Sequence, residues 1–288
     1  MTATVLAGKD LAARIRAETA EAAAELSGRG RPPKLAVVTA TADEASAWYV
    51  RSIATAAGKA GIACDVVDLG AGADTDTIGA TLLDLSAQVA VGGVILATPL
   101  PRGARLGVLA QCIDLAKDID GANPLSLGRL AAGLPAFAPA TAEAVVRLLE
   151  YHSVELAGRH VVVVGRSTVV GKPAAHLLLD RHATVTICHS HTVDLAEITR
   201  SADVLIAAVG RAGLITARHL RPGAIVIDVG TNPTAGGGLA GDVDPAAAEV
   251  AGALTPVPGG VGPVTTALLL EHTVRATRPR RAGWCTPH

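Results

Sequence analysis

Short apolar runs alternate with longer amphipathic stretches along most of this chain. Short apolar runs bounded by polar or glycine-rich segments are typical of strands buried on both faces, and the amphipathic stretches are typical of helices. In the first half, the pattern predicts helices over residues 9–27, 44–59 and 77–87 and strands over residues 34–39, 64–69 and 91–97. The last of these strands runs into Thr98-Pro99-Leu100-Pro101, where two prolines end it.

The second half repeats this alternation. It predicts helices over residues 141–152, 171–180, 193–201 and 265–277 and strands over residues 160–164, 184–188, 204–209 and 224–229. Strands that alternate with helices predict an α/β fold with parallel sheets and right-handed crossovers. Two segments break the pattern: residues 231–243 are rich in turn residues, and residues 256–263, rich in proline and glycine, predict a rigid loop.

Composition narrows the class of protein. A chain of 288 residues, half of them hydrophobic, fits two domains with substantial cores. A net charge of −1 argues against a nucleic-acid-binding protein. The absence of a secretory signal or a long apolar span predicts a cytoplasmic protein without a membrane segment. Widely separated cysteines predict reduced thiols, and they are Cys64, Cys112, Cys188 and Cys285.

The strongest local motif follows the strand over residues 160–164. Gly165, Arg166 and Ser167 form a tight loop, and Gly171 opens the next helix. Glycines let the backbone approach a diphosphate, and the N–H groups at a helix start bind its charge, so the motif predicts a Rossmann-type dinucleotide site. Ser167 occupies the second glycine position of the usual pattern, which leaves an ordinary strand–helix turn as the alternative.

The next strand indicates which dinucleotide is bound. NAD sites usually carry an acidic residue at the end of this strand, whereas here Cys188 is followed by His189, Ser190 and His191. Ser190 and Arg166 suit a 2′-phosphate that an acidic residue would repel, so NADP is favoured over NAD. The two histidines alone make a weak metal site because no third ligand is apparent, and no metal is expected.

Together the motifs resemble those of the methylenetetrahydrofolate dehydrogenase/cyclohydrolase (FolD-type) family over nearly the whole chain. The matching segments lie at residues 46–50, 98–101, 117–121, 163–167, 170–173, 184–190, 228–232, 241–243 and 256–263. The resemblance implies a folate-binding catalytic domain over residues 1–140, completed by the helix at about 265–278, and a Rossmann NADP-binding domain over 141–270. It also implies a tetrahydrofolate substrate and a homodimer.

The resemblance further implies roles for individual residues. The dinucleotide would contact Gly165, Arg166, Ser167, Ser190 and Thr231. With Tyr49 and Asp120 as the catalytic pair, the folate site would contain Tyr49, Ile53, Ala97, Asp120, Pro258, Gly259, Gly260 and Gly262. On the residues alone, Tyr49 also fits plain helix packing, Asp120 an ordinary turn, and the proline-glycine segment a rigid loop without a ligand.

One pair of positions departs from the family. Family members carry a lysine four residues after the tyrosine, where this chain has Ile53, and a glutamine two residues before Pro99, where it has Ala97. Lys59 does not substitute, because it lies about 240° around the helix from Ile53 and about 9 Å further along. Isoleucine neither donates nor accepts a proton, so the chemistry that hydrolyses the methenyl intermediate lacks its usual group.

Hydride transfer makes smaller demands, because the cofactor carries the chemistry and the protein holds two rings together. We therefore expect an NADP-dependent dehydrogenase that oxidises methylenetetrahydrofolate to the methenyl form in one-carbon metabolism, with cyclohydrolase activity lost. One alternative is a repurposed relative that acts on another folate or imine, for which Ile53 and Ala97 would shape the new pocket. Another is a non-catalytic protein that binds folate or NADP.

Overall fold

The computed structural model describes residues 3–234 and 236–279, so that Cys285 lies outside the described residues. The chain divides into two compact units. One contains the chain up to Ala13 together with Pro139–Thr265, and the other contains Arg14–Ala138 together with the chain from Thr266 onward. Among the described residues, no helix is long and apolar enough to cross a membrane.

The strands are short and mostly parallel. Numbered along the chain, they are β1 (Thr4–Val5), β2 (Lys34–Thr39), β3 (Ala63–Asp68), β4 (Gly93–Leu96), β5 (His160–Val164), β6 (Thr184–Cys188), β7 (Val204–Ala207), β8 (Ile225–Asp228), β9 (Asn232–Pro233), β10 (Leu239–Ala240) and β11 (Ala253–Leu254). Strands β9 and β10 form a small antiparallel hairpin.

The helices fill the connections between these strands. They are α1 (Lys9–Gly28), α2 (Glu44–Lys59), α3 (Thr75–Ala87), α4 (Leu106–Leu109), α5 (Pro124–Ala131), α6 (Ala140–Tyr151), α7 (Gly171–Leu179), α8 (Leu195–Arg200) and α9 (Val261–Thr277). Short 3₁₀ turns lie at Ala110–Cys112, Ala217–His219 and Pro245–Glu249.

One unit is built on a parallel sheet of six strands in the order β1-β11-β8-β7-β5-β6. Strands β5, β7 and β8 lie inside the sheet and consist almost entirely of Val, Ile, Leu and Ala. Side chains on both faces are buried, because β-branched residues fill a sheet that is covered on both sides.

The strand order also fixes where ligands bind in such a sheet. From β5 the chain passes to β6 at the edge and then returns past β5 to β7, so the direction of winding reverses between β5 and β7. The loops that follow the two strands diverge at this point and leave a crevice at their carboxyl ends. The predicted nucleotide loop, Gly165 to Ser167, lies here.

The other unit is built on a parallel sheet of three strands in the order β3-β2-β4. Strand β2 lies in the centre and is almost fully buried, whereas β3 at the edge is largely exposed. The helix between them begins where the sequence predicts, because the carboxylate of Asp43 accepts a hydrogen bond from the Ser46 N–H at 2.7 Å and caps α2.

Most predicted elements are present, with two corrections. The predicted rigid loop over residues 256–263 ends earlier, because α9 begins at Val261 and Pro263 sits in its first turn, where a missing N–H costs nothing. The turn-rich segment over residues 231–243 contains the β9–β10 hairpin. Its strands have only two residues each, which is too short to show a period in the sequence.

The start of the chain lies with the six-stranded unit, although the sequence analysis placed it in the first domain. The reason is β1, which pairs with β11 through Thr4 and Val5. A two-residue strand at a terminus has no recognisable pattern. The assignment of folate to one of these two units and of NADP to the other stays a prediction.

Candidate functional site

The loop after β5 is shaped by two glycines that have no room for a side chain. Gly165 has a φ of 132°, and a Cβ on it would overlap the carbonyl group of Ala208, which follows β7. A Cβ on Gly171 would overlap the carbonyl of Gly165. The loop is therefore folded tightly against itself and against the neighbouring strand end, as close approach to a diphosphate requires.

Some backbone N–H groups of this loop are hydrogen-bonded to described residues of the protein and others are not. The Ser167 hydroxyl accepts from the Val170 and Gly171 N–H groups at 3.1 and 3.4 Å, which fixes the start of α7. In the described part of the chain, the N–H groups of Arg166, Ser167 and Thr168 donate to no protein acceptor. Unpaired donors at a helix start suit an anion.

The end of β6 lies beside this loop. The pKa of His189 is lowered by desolvation and, to a smaller extent, by the positive charge of Arg166 and by His191, so these side chains are neighbours. The rings of the two histidines are 6.0 Å apart, and Ser190 between them is exposed. Among the described residues, no group of three or more metal-ligating side chains is present.

Two buried aspartates, which the sequence analysis did not single out, hold the loops after β7 and β8. Asp242 accepts hydrogen bonds from the N–H groups of Val209, Gly210 and Arg211 at 2.6 to 3.0 Å. Asp228 accepts from the N–H groups of three residues in these loops, Gly230, Asp242 and Val243. In the sequence each is an aspartate near a glycine, a pattern shared with exposed turn aspartates that gives no specific signal.

Burial raises the pKa of Asp228 above its ordinary value, while its hydrogen bonds from backbone N–H groups oppose that shift. Asp228 therefore serves to order the chain after β8. Thr231, a predicted cofactor residue, lies three residues after Asp228 and is exposed, and the side-chain amide of Asn232 donates to Asp242 at 2.9 Å. These bonds place Thr231 at the same carboxyl edge of the sheet as the nucleotide loop.

The predicted folate residues of the proline-glycine segment also belong to the six-stranded unit. Gly259 has a φ of 110°, and its carbonyl accepts from the Gly8 N–H at 2.8 Å. Gly260 packs against the chain at Pro256, so that a Cβ would lie 2.8 Å from that residue's carbonyl oxygen. Pro258 and Gly262 are exposed to solvent on either side of this tight segment, with a cis bond before Pro258.

Tyr49 and Asp120 come together in the three-stranded unit. Tyr49 lies on α2 and keeps 36% of its surface exposed. The pKa of its hydroxyl is raised, first by desolvation and second by the negative charge of Asp120. The structure thus brings into proximity two residues that are far apart in sequence, as the predicted catalytic pair requires.

The loop that carries Asp120 is held by a third buried aspartate. Asp118 accepts from the N–H groups of Ala122 and Asn123 at 3.0 Å and from the Ser126 hydroxyl at 2.6 Å. Desolvation raises the pKa of Asp118, and these hydrogen bonds and His272 oppose the shift. Asp118 positions the loop, and Asp120 projects from it as a partly exposed side chain.

Two family models match the chain in succession. The model for the tetrahydrofolate dehydrogenase/cyclohydrolase catalytic domain matches residues 6–120, and the model for the NAD(P)-binding domain of the same family matches residues 139–281. The chain belongs to the tetrahydrofolate dehydrogenase/cyclohydrolase family. It is an enzyme of the oxidoreductase class, and the family, the two-domain α/β fold and the enzyme class predicted from the sequence are confirmed.

Relatives and solved structures match along nearly their full length. Bifunctional protein FolD 1 of Saccharopolyspora erythraea is 65% identical over 273 residues, covering 94% of this chain and 93% of that protein. Bifunctional FolD of Campylobacter jejuni has a TM-score of 0.91 at 37% identity, covering 95% and 98% of the two chains. FolD of Trypanosoma brucei, solved with NADP and an inhibitor, has a TM-score of 0.91 at 36% identity, covering 96% and 98%.

In this member of the tetrahydrofolate dehydrogenase/cyclohydrolase family, the two departing positions are buried in the same unit as Tyr49. Ile53 lies one helical turn after Tyr49 on α2 and is 0% exposed. Ala97 follows β4, where its N–H donates to the Val38 carbonyl at 2.8 Å, and is 6% exposed. Neither side chain offers a polar atom to a ligand.

Proposed function

We propose that this enzyme oxidises methylenetetrahydrofolate to methenyltetrahydrofolate with NADP and has lost the cyclohydrolase step. The observation that carries the second half of the proposal is Ile53, a fully buried apolar side chain one turn from Tyr49. The first half rests on the membership of the family and on the nucleotide loop.

The nucleotide loop fits a dinucleotide diphosphate. Gly165 and Gly171 let the loop pack closely on backbone carbonyl groups that a Cβ would overlap, and the N–H groups of Arg166, Ser167 and Thr168 have no protein acceptor in the described residues. When bound there, NADP supplies the acceptor of the hydride. The residues of this chain bind the diphosphate and orient the cofactor.

The choice of NADP over NAD is supported at the end of β6. Arg166, His189 and Ser190 lie together there, without the acidic side chain that would bind ribose hydroxyls and repel a 2′-phosphate. Ser190 can donate to the phosphate, and the guanidinium of Arg166 pairs with it. The NADP in the Trypanosoma brucei neighbour agrees with this assignment.

The folate side of the reaction depends on few groups. Tyr49 offers an aromatic face to a flat ring system, and Asp120 offers a carboxylate as hydrogen-bond acceptor for its N–H groups. Loss of a hydride from the methylene carbon leaves a cation that needs no protein base. Hydrolysis, in contrast, requires a group that activates water, and Ile53 and Ala97 supply none.

The deciding experiment follows both products with purified enzyme, methylenetetrahydrofolate and either NADP or NAD. We expect reduced cofactor and methenyl product to appear together with NADP, and formyl product to form only at the uncatalysed rate. Methenyl product added directly should decay equally fast with and without enzyme. Enzyme-dependent formation of formyl product would overturn the loss of cyclohydrolase activity.

A paired substitution distinguishes a lost activity from a remodelled pocket. Ile53→Lys with Ala97→Gln restores both polar groups of the family pattern, and we expect enzyme-dependent hydrolysis of the methenyl compound to appear. Ala97→Gln alone is the control and should restore nothing. A repurposed enzyme would instead turn over methylenetetrahydrofolate poorly, and a non-catalytic protein would bind both ligands without turnover.

We further propose that the enzyme acts as a homodimer in the cytoplasm. The proposal rests on the resemblance to the family. Light scattering on the purified protein should give twice the chain mass of 28.9 kDa. A mass of one chain across micromolar concentrations would contradict it.

A further inference from the structure

A histidine on the last helix contacts the loop that carries Asp120. His272 lies on α9, and its side chain is 0% exposed. Its Nδ1 lies 2.7 Å from the backbone carbonyl oxygen of Ile119, a residue of the same unit. A carbonyl oxygen only accepts hydrogen bonds, so Nδ1 carries the proton and donates it. This bond joins residues that are 153 positions apart and reaches the peptide group directly before Asp120.

The imidazole of His272 is held in place by an aromatic and a cationic neighbour. The ring of Phe137, the only phenylalanine in the chain, lies 5.1 Å from the imidazole between centroids, at an angle of 42°. The Arg275 guanidinium, almost one turn further along α9, lies over the Phe137 ring at 4.5 Å from its centroid. These contacts restrict rotation of the imidazole, so its hydrogen bond to Ile119 has a fixed direction.

The residue that accepts this hydrogen bond is itself packed against the sheet. Ile119 is fully buried, and a Cβ on Gly93, at the start of β4, would lie 2.9 Å from its side chain. Two residues earlier, the Lys117 carbonyl accepts from the Val94 N–H at 2.9 Å, so this segment runs beside β4. A carbonyl at this depth is costly without a hydrogen-bond donor, and His272 supplies one.

Asp120 therefore lies between two buried side chains that hold the backbone. On one side, His272 bonds the carbonyl of the peptide group whose nitrogen belongs to Asp120. On the other side, the Asp118 carboxylate accepts from the N–H groups of Ala122 and Asn123 at 3.0 Å. A peptide group is planar, so fixing its carbonyl also fixes the direction in which the chain enters Asp120.

We propose that His272 is a positioning residue for substrate binding, whose hydrogen bond to the Ile119 carbonyl holds the Asp120 carboxylate where it meets the folate ring. The inference rests on the folate-binding role of Asp120 in the proposed function. His272 is fully buried, so it acts through the backbone and does not touch the substrate. Loss of its donor lets the peptide group before Asp120 rotate, which weakens binding of folate and leaves binding of NADP unchanged.

Two substitutions separate the hydrogen bond from the packing. His272→Asn keeps a donor, because asparagine Nδ2 and histidine Nδ1 are the same number of bonds from Cα. His272→Leu removes it. We expect His272→Leu to raise the KM for methylenetetrahydrofolate about tenfold, with kcat and the KM for NADP changed less than about twofold. His272→Asn should stay within about twofold of the unsubstituted enzyme in all three.

His219→Leu is the matched control. His219 is also buried, at 3% exposed, and its Nδ1 accepts from the Thr216 N–H at 3.0 Å in the other unit. Its replacement should lower the melting temperature and leave the KM for methylenetetrahydrofolate unchanged. A merely structural role of His272 would lower the active fraction, and with it the apparent kcat, at unchanged KM. An equal rise in KM in both leucine variants would overturn the inference.

Asp120→Asn tests whether His272 acts through Asp120. Alone, it should raise the KM for methylenetetrahydrofolate. Adding His272→Leu to it should raise that KM by less than about twofold more, because the two substitutions remove the same interaction. Full additivity of the two effects would overturn the inference. An unchanged KM in Asp120→Asn would show that the proposed folate role of Asp120 fails.

Hydrogen exchange followed by mass spectrometry tests the hold on the loop without any folate. The N–H groups of Ile119, Gly121 and Ala122 are hydrogen-bonded within the loop. His272→Leu should speed their exchange about tenfold, and His272→Asn should not. That result would stand even if the enzyme turned over no folate, in which case the proposed function fails and His272 still positions the loop. Equal exchange in His272→Leu and the unsubstituted enzyme would overturn the inference.

Discussion

The two units use the same device to hold a functional loop, but they present different chemistry. In the six-stranded unit, buried Asp242 accepts three backbone N–H groups after β7, next to the carbonyl on which Gly165 packs. In the three-stranded unit, buried Asp118 accepts two N–H groups and a hydroxyl around Asp120. Both loops are therefore held rigidly by carboxylates that do not themselves face a ligand.

The difference lies in what each loop offers. The nucleotide loop offers backbone N–H groups, whose placement depends on glycines without room for a side chain. The proposed folate region offers side chains, namely Tyr49 and Asp120, beside Ile53 and Ala97 where the family has polar groups. A site built from backbone fails when its glycines change, whereas a site built from side chains can lose one activity while the fold remains.

The largest effect is expected from Gly165→Ala. The new Cβ would overlap the carbonyl of Ala208 at a φ of 132°, so we expect the free energy of unfolding to fall by about 4 kcal/mol and NADP binding to be lost. Gly128→Ala in α5, where a Cβ meets nothing, is the control and should change stability by at most about 1 kcal/mol. Chemical denaturation measures the free energy of unfolding of both variants. Equal losses in the two variants would contradict a nucleotide loop whose backbone conformation depends on Gly165.

The next largest effect tests the other region. Ile53→Lys places an ammonium group in a fully buried position, and we expect a loss of about 3 kcal/mol in the free energy of unfolding at pH 7. The loss should shrink as the pH rises toward the ordinary pKa of lysine, because the uncharged amine costs less to bury. Ile53→Met keeps volume and polarity and should cost less than about 1.5 kcal/mol. Full stability of the lysine variant would mean that solvent or a polar partner reaches this position.

Asp242→Asn should have a smaller effect on stability. The amide keeps the size but has one acceptor fewer for the N–H groups of Val209, Gly210 and Arg211, which predicts a loss of about 2 kcal/mol and weaker NADP binding. Asp244→Asn is the matched control, because asparagine also caps the 3₁₀ turn through the Ala246 N–H. Equal melting temperatures of the two variants would show that Asp242 does not stabilise the loop.

Ser190→Asp tests the cofactor end of the comparison. An acid at the end of β6 repels a 2′-phosphate and accepts from ribose hydroxyls, so the Kd of NADP should rise about 10- to 100-fold while that of NAD stays equal or falls. Ser27→Asp adds the same charge at the end of α1. It is the control and should change neither the Kd of NADP nor that of NAD. Fluorescence titration of both cofactors gives the ratio, and an unchanged ratio would exclude Ser190 from the phosphate site.

The smallest effect concerns the pH dependence of the sheet itself. The Asp203 carboxylate accepts from the His160 N–H at 2.8 Å and pairs with Arg221, and the N–H bond is the main reason that its pKa is lowered. The ionised form therefore stabilises the fold above the ordinary pKa, and this contribution is lost as the pH falls through the lowered value.

We expect Asp203→Asn to cost about 1 kcal/mol at pH 7 and almost nothing near pH 2. Asp180→Asn, at the end of α7, is the control and should cost little at either pH. Urea denaturation across this range measures the difference. A cost that is constant with pH would show that hydrogen bonding without charge accounts for the contribution.

Much of the fold was predictable because its longer strands are short runs of mostly apolar residues, and the central ones are buried on both faces. The bounds of β2, β5 and β6 agree with the sequence pattern, and so do those of α2, whose cap at Asp43 is a local signal. Elements of two residues, such as β1 and β11, were not predictable. They exist because the sheet supplies partners for their backbone groups, and the sequence around them has no period of its own.

The candidate site was predictable to the extent that it depends on local sequence. Gly165 and the absence of an acid after Cys188 are both local features, and they indicated a dinucleotide and its type. The roles of Asp228 and Asp242 were not predictable, because their hydrogen bonds reach N–H groups 14 and 31 to 33 residues away. Nothing in a linear pattern distinguishes them from exposed turn aspartates.

The sequence by itself thus determined the longer strands, most of the longer helices and the need for glycine in the nucleotide loop. Its resemblance to the family added that Ile53 stands where a lysine is usual. Only the tertiary structure decided that Tyr49 lies within the field of Asp120, and that Asp242 meets the N–H groups that follow β7. Periodicity and turn chemistry act over a few residues, so they are visible in the sequence. Contacts between side chains that are distant in the sequence depend on how the helices pack against a sheet. That packing is driven by burial of apolar surface, a non-directional effect that no local sequence pattern specifies.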